Sequence, residues 1–159
     1  MTPYTGRFID VLAFQPGDTS PGVVSLMEQT LALPGTGGQV CTGIQKLAQG
    51  TMLRLLTIQD SRPYEFGENI NFGCSFLQDA CEGRWRNSSD IRVSYAAASL
   101  DVARQMLETI TETTPEDEQF NSLTLDNVEI LGDRSVKLTF TLKSEASTLT
   151  FIQPISIPL

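Results

Sequence analysis

The chain has 159 residues, 40% of them hydrophobic, with a mean hydropathy of -0.07; that length suits one domain whose core can stand without disulfides or metals. Its 19 acidic and 11 basic residues leave a formal charge of -8, a field that repels nucleic acid, since nucleic-acid binding relies on Lys and Arg displacing phosphate counterions. No apolar run approaches the roughly 18 residues needed to span a bilayer, and Met1 to Asp10 lacks the basic start and apolar stretch of a signal peptide, so a membrane role is set aside and assembly in a cytoplasm is expected.

Residues 1–38 hold Pro3, Pro16, Pro21 and Pro34 among many glycines, which disfavours long regular elements. The same segment carries Phe8, Ile9, Val11, Leu12, Phe14, Val24, Leu26 and Met27, too apolar a set for a solvated linker. It reads as an irregular arm, either laid over the protein's own core or reaching for a partner, with a short helix expected over Val23 to Leu33. A helix follows: Val40, Ile44, Leu47, Ala48, Met52, Leu55 and Leu56 recur at spacings of three and four. Gly50 weakens that helix by up to about 1 kcal/mol relative to alanine, so a close backbone approach or a bend is expected there. Residues 57–90 read as loops pinned by Phe66, Ile70, Phe72, Phe76, Leu77 and Trp85.

A second helix is expected from about 93 to 113. Its core-facing stripe reads as Ala96, Leu100, Ala103, Leu107 and Ile110, and Thr114-Pro115 ends it. Leu123, Leu125, Val128 and Ile130 then alternate with polar residues, with a phase slip at Asp126-Asn127 that predicts a bulge. Val136, Leu138, Phe140 and Leu142 alternate with Lys137, Thr139, Thr141 and Lys143, the pattern of a strand with one wet face. A last strand carries Leu149, Phe151, Ile155, Ile157 and Leu159, and Pro154 and Pro158 mark it as an edge or a free tail. The fold class read from this order is α+β: two main helices packed on a small antiparallel sheet, with residues 1–38 as the irregular arm and 39–159 as the single domain.

Chemistry is sparse. The chain has no histidine, which removes Ser-His-Asp and Cys-His arrangements. Cys41, Cys74 and Cys81 are an odd count at spacings unlike zinc knuckles, so isolated thiols and no metal are expected. Gly35 to Gly38 precedes a helix, but no Gly-Lys-Ser/Thr follows, so the phosphate-cradle pattern fails and no cofactor is expected. Two carboxyls suffice for glycoside hydrolysis, and Glu65 with Glu68, or Glu108 with Glu112, supply pairs. A small carboxylate-dependent cell-wall glycosidase is therefore the alternative to a non-catalytic reading, with a soluble adaptor or inhibitor as a third. The stretch Glu112 to Asp133 carries seven acids and no Lys or Arg, either a solvated acidic face or a patch for a basic partner.

The run Gly43-Ile44-Gln45-Lys46-Leu47-Ala48-Gln49, then Leu53-Arg54-Leu55-Leu56-Thr57, Ser61-Arg62-Pro63 and Phe66-Gly67, resembles the phage baseplate wedge family that also initiates the sheath of contractile tails, related to a type VI secretion baseplate component. The resemblance covers about residues 39–157. It implies a structural subunit of a virion tail baseplate, present in several copies around the tail axis and assembled in a host cytoplasm. Its implied partners are other baseplate wedge proteins and tail sheath or tube proteins, with strand edges offered to the first sheath ring. The family often carries Glu-Pro-Arg after the second helix; here Thr114-Pro115-Glu116 keeps the proline and lacks the arginine. The interaction candidates are Arg62, Pro63, Phe66, Gly67, Pro115, Glu116, Phe151, Ile155 and Ile157.

Overall fold

A computed structural model describes residues 10–11, 14–16, 24–29, 40–59, 72–132 and 134–156. Four short strands come first: β1 (Asp10–Val11), β2 (Phe14–Pro16), β3 (Val24–Gln29) and β4 (Val40–Cys41). Three helices follow, α1 (Gly43–Leu55), α2 (Phe76–Cys81) and α3 (Ser88–Glu108), then β5 (Phe120–Ile130), β6 (Ser135–Ser144) and β7 (Thr148–Ser156). The fold is α+β, with α1 and α3 packed beside an antiparallel β5–β6–β7 meander.

β6 shows why these residues make this sheet. Val136, Leu138, Phe140 and Leu142 are all buried, while Lys137 and Lys143 are exposed and Thr139 and Thr141 half-buried. The period-two pattern fixes which face meets the helices, because a one-residue slip would reverse every side chain. The predicted bulge is also present: the β5–β6 register shifts between Leu125 and Asn127, leaving Asp126 as the extra residue. Arg92 of α3 holds that irregularity, donating to the carbonyls of Leu125 at 3.3 Å and Asp126 at 3.2 Å.

Two expectations about the sheet need correction. The segment Val24–Gln29 is a strand rather than part of a helix; it pairs parallel to β7, from Val24 opposite Thr150 to Leu26 opposite Ile152. A six-residue segment has little helical stability of its own, and β7 offers it hydrogen-bond partners far away in sequence. The sheet order is β2-β3-β7-β6-β5, so β7 is an inner strand rather than an edge. Pro154 is tolerated there because the recorded pairing with β3 ends at Ile152, and a residue without an N–H is placed beyond it. The remainder of residues 1–38 lies outside the described residues.

The core is one cluster. α1 contributes Leu47, Ala48, Met52 and Leu55, α3 contributes Ile91, Ala98, Val102 and Met106, and the sheet contributes its inward row. An aromatic chain runs through it: Trp85 to Phe76 at 4.6 Å, Phe76 to Tyr95 at 6.0 Å, Tyr95 to Phe140 and Phe140 to Phe151 both at 5.7 Å. Gly50 departs from expectation. A methyl group there would meet Arg54 at 3.5 Å and Met106 at 3.9 Å, ordinary contacts, so no close backbone approach requires the glycine. The position that does require one is Gly73, at φ +95, where a Cβ would lie 2.5 Å from the Thr57 carbonyl oxygen.

Candidate assembly interface

α3 starts five residues earlier than its apolar pattern suggests, and its cap explains why. Asn87 has extended geometry, and its side chain accepts from the Asp90 N–H at 2.9 Å. The Asp90 carboxylate in turn accepts from the Arg86 N–H at 3.2 Å, a reciprocal arrangement close to a capping box. The signal Asn87-Ser88-Ser89-Asp90 is legible in the sequence as a helix start.

The face that α3 buries is not the expected one. Ile91, Ser94, Tyr95, Ala98, Val102, Gln105 and Met106 point into the protein. Three polar members of that face are matched: Ser94 donates to Asp79 at 2.7 Å, Tyr95 to the Leu123 carbonyl at 2.7 Å, and Gln105 to the Gly73 carbonyl at 2.8 Å. Burial first, and the Asp126 charge second, raise the Tyr95 phenol pKa far above its usual value. It therefore stays protonated as the donor.

The stripe read as core-facing instead looks outward. Leu100 is 74% exposed, Leu107 54% and Val93 71%. Ala96 and Ala97 are exposed too; Ala103 is half-buried, and so is Ile110, which lies beyond the end of α3 at Glu108. Val93, Leu100 and Leu107 are spaced by seven, with Ala96 and Ala103 three residues after the first two, which is the a/d pattern of a helix seam. The line from Val93 to Leu107 is about 21 Å long, at 1.5 Å per residue. Large and small side chains alternate along it, as a partner helix needs for knobs to enter holes. Flanking charge is largely self-satisfied, with Arg104 bridging Asp101 at 3.8 Å and Glu108 at 3.2 Å.

The sequence-derived candidates scatter. Arg62, Pro63, Phe66, Gly67 and Ile157 lie outside the described residues, as do Glu65 and Glu68. Phe151 is fully buried against Phe140, so it is a core residue and no partner can reach it from solvent. Ile155 is half-buried at the edge of the core. Pro115 and Glu116 open a 3-10 turn over Glu116–Glu118. That turn delivers Glu118 to the start of α1, where its carboxylate accepts from the Gly43 N–H at 2.9 Å and from Lys46 at 2.8 Å. Thr42 makes no side-chain cap, so this distant carboxylate does the capping of α1. Glu118 is thus a structural residue, 7% exposed, within an acidic stretch whose Glu112, Glu116, Asp126 and Glu129 are exposed. Asp126 also accepts a hydrogen bond from Thr141.

The sheet's β5 edge is partly taken within the fold, since Tyr95 and Arg92 occupy carbonyls of Leu123 and Leu125. None of the three cysteines is in a disulfide; Cys41 and Cys74 are buried and Cys81 is exposed. Among the described residues, no group of three or more His, Cys, Asp or Glu gathers to hold a metal, and no helix is long and apolar enough to cross a membrane. Comparison with protein families, curated proteins and solved structures finds no match for this chain.

Proposed function

We propose that this chain is a non-catalytic assembly subunit that receives a helix of a neighbouring protein on the outer face of α3. Following the resemblance of residues 39–157, its place is the baseplate wedge of a contractile tail, beside sheath or tube proteins. One observation carries the reading: three large aliphatic side chains, each more than half exposed, share one heptad line on the longest helix. Exposed apolar side chains gathered on one line, rather than scattered singly, are a mark of an interaction surface. Covering it contributes about 3–6 kcal/mol of apolar burial, taking roughly two-thirds of the usual 1.5–3 kcal/mol per side chain, before the entropy of association is subtracted.

The test is Leu100→Lys. Leu100 is 74% exposed, so thermal stability should change by less than about 0.5 kcal/mol. Incorporation into tail particles, read by co-sedimentation, should fall at least tenfold. Normal incorporation of the folded variant sinks the proposal. Turnover of peptidoglycan by the purified wild-type chain would favour the glycosidase alternative instead.

A further inference from the structure

A cavity of about 590 Å³ opens where the start of α3, the end of α2 and the β5–β6 hairpin meet. That volume lies in the range of pockets that take a small molecule or an anchoring side chain, roughly 300–1,000 Å³. Its inner wall is apolar and rigid: Ile91 and Val136 are each 1% exposed, and the Trp85 indole rests on Phe76. Two arginines, Arg86 and Arg134, line the same space.

Those two arginines differ from their neighbours. Among the described residues, Arg54 donates to the Gly50 carbonyl, Arg84 pairs with Asp79 and Glu82, Arg92 holds the β5 bulge, and Arg104 pairs with Asp101 and Glu108. The side chains of Arg86 and Arg134 make no ion pair or hydrogen bond with any described residue, in a chain with eight more acids than bases. Both backbones are nevertheless held. The Arg86 N–H is tied to Asp90 in the α3 cap, and Arg134 sits in the hairpin closed by the Leu131 N–H on the Ser135 carbonyl at 2.8 Å. Arg134 has φ +62, although glycine is the residue that takes this region without cost and Gly132 is two positions away. The turn thus accepts backbone strain at the residue that brings a cation to the cavity.

An apolar wall beside two arginines that find no partner among the described residues matches a carboxylate attached to a bulky apolar neighbour. Guanidinium forks bind carboxylates in bidentate fashion, and a bare phosphate would leave the accessible apolar surface of Trp85, Ile130 and Leu131 uncovered. We infer that the cavity anchors a segment of the partner protein, taking from it one Asp or Glu side chain and the bulky apolar residue beside it. This rests on the assembly reading and adds to it the chemistry of the partner and a second contact point.

Two native probes read the cavity in the full-length chain. Trp85 is the only tryptophan, and Cys81, which also lines the cavity, is the exposed cysteine. The ligands are acetyl-Phe-Glu-Leu-amide, its Phe-Gln-Leu counterpart, 3-phenylpropionate and inorganic phosphate. The acidic peptide should shift Trp85 emission saturably and slow Cys81 alkylation, and the glutamine peptide should bind at least tenfold more weakly. The double variant Arg86→Gln/Arg134→Gln should lose that tenfold preference while keeping the wild-type melting temperature. Equal binding of the two peptides, tighter binding of 3-phenylpropionate or phosphate than of the acidic peptide, or no binding at all overturns the inference. Particle incorporation separates the two levels. If Leu100→Lys blocks incorporation and the double arginine variant does not, only the cavity inference fails; if Leu100→Lys incorporates normally, the assembly reading itself fails.

Discussion

Gln105 offers a sharp test of how the described fold holds together. It is 4% exposed on the buried face of α3, and its amide does two things at once. Its Oε1 accepts from the Gly73 N–H at 3.1 Å, and its Nε2 donates to the Gly73 carbonyl at 2.8 Å. The next residue, Cys74, donates its N–H to Thr57 at 2.9 Å and accepts from the Gln59 N–H at 3.2 Å. One side chain therefore clamps the segment that links the end of α1 to α2. Gln105→Leu keeps the volume roughly constant but strands a buried donor and a buried acceptor. Each stranded group costs about 1–3 kcal/mol, so the variant should lose about 2–6 kcal/mol. That is a large share of the roughly 5–15 kcal/mol that holds a domain of this kind. Urea denaturation reads the loss as a lower midpoint at an unchanged slope. Amide exchange should accelerate at Gly73 and Cys74 before it does in β6. A loss below about 1 kcal/mol with unchanged Gly73 exchange would refute the clamp.

Phe140→Ala should cost about 3–5 kcal/mol in the same assay, because Phe140 is fully buried between Tyr95 and Phe151; a loss under about 1 kcal/mol would mean β6 is misassigned. Gly50→Ala should raise stability by up to about 1 kcal/mol, since the added methyl meets only ordinary contacts in mid-helix; destabilisation would show a constraint that the geometry lacks. Burial, the largest cause, raises the Cys74 thiol from its usual 9.0 to about 11, so the thiolate forms more readily in the unfolded chain than in the folded one. The stability held below pH 9 should therefore decline as pH rises from 9 towards 11, and Cys74→Ala should remove the part of that decline between pH 9 and 10. A midpoint that falls equally in both proteins over that range would count against it.

Local patterning carried much of the fold. The alternation Val136 to Lys143 names a strand and its wet face, and the slip at Asp126 names its bulge, because a strand's side-chain period of two is a property of the backbone itself. The spacing from Ile44 to Leu55 likewise names α1 and its buried side. α3 shows the limit. It bears two apolar stripes, one through Ile91, Tyr95, Ala98, Val102 and Met106, the other through Val93, Ala96, Leu100, Ala103 and Leu107, and periodicity alone does not say which one meets the sheet. The first wins because Ser94, Tyr95 and Gln105 find partners on Asp79, Leu123 and Gly73, which no local pattern reveals. For the same reason the outward stripe, the chief candidate for a partner's contact, was visible as a pattern but not as a surface. Arg86 and Arg134 are 48 positions apart and become one feature only in the folded hairpin-and-helix corner. The inner position of β7 and the use of Glu118 as the cap of α1 also depend on contacts between distant segments. Sequence by itself determined the period and class of the long elements, because backbone geometry dictates both locally; which faces, edges and charges were left for a partner was decided by tertiary packing, because burial and hydrogen-bond satisfaction are settled between segments and not within them.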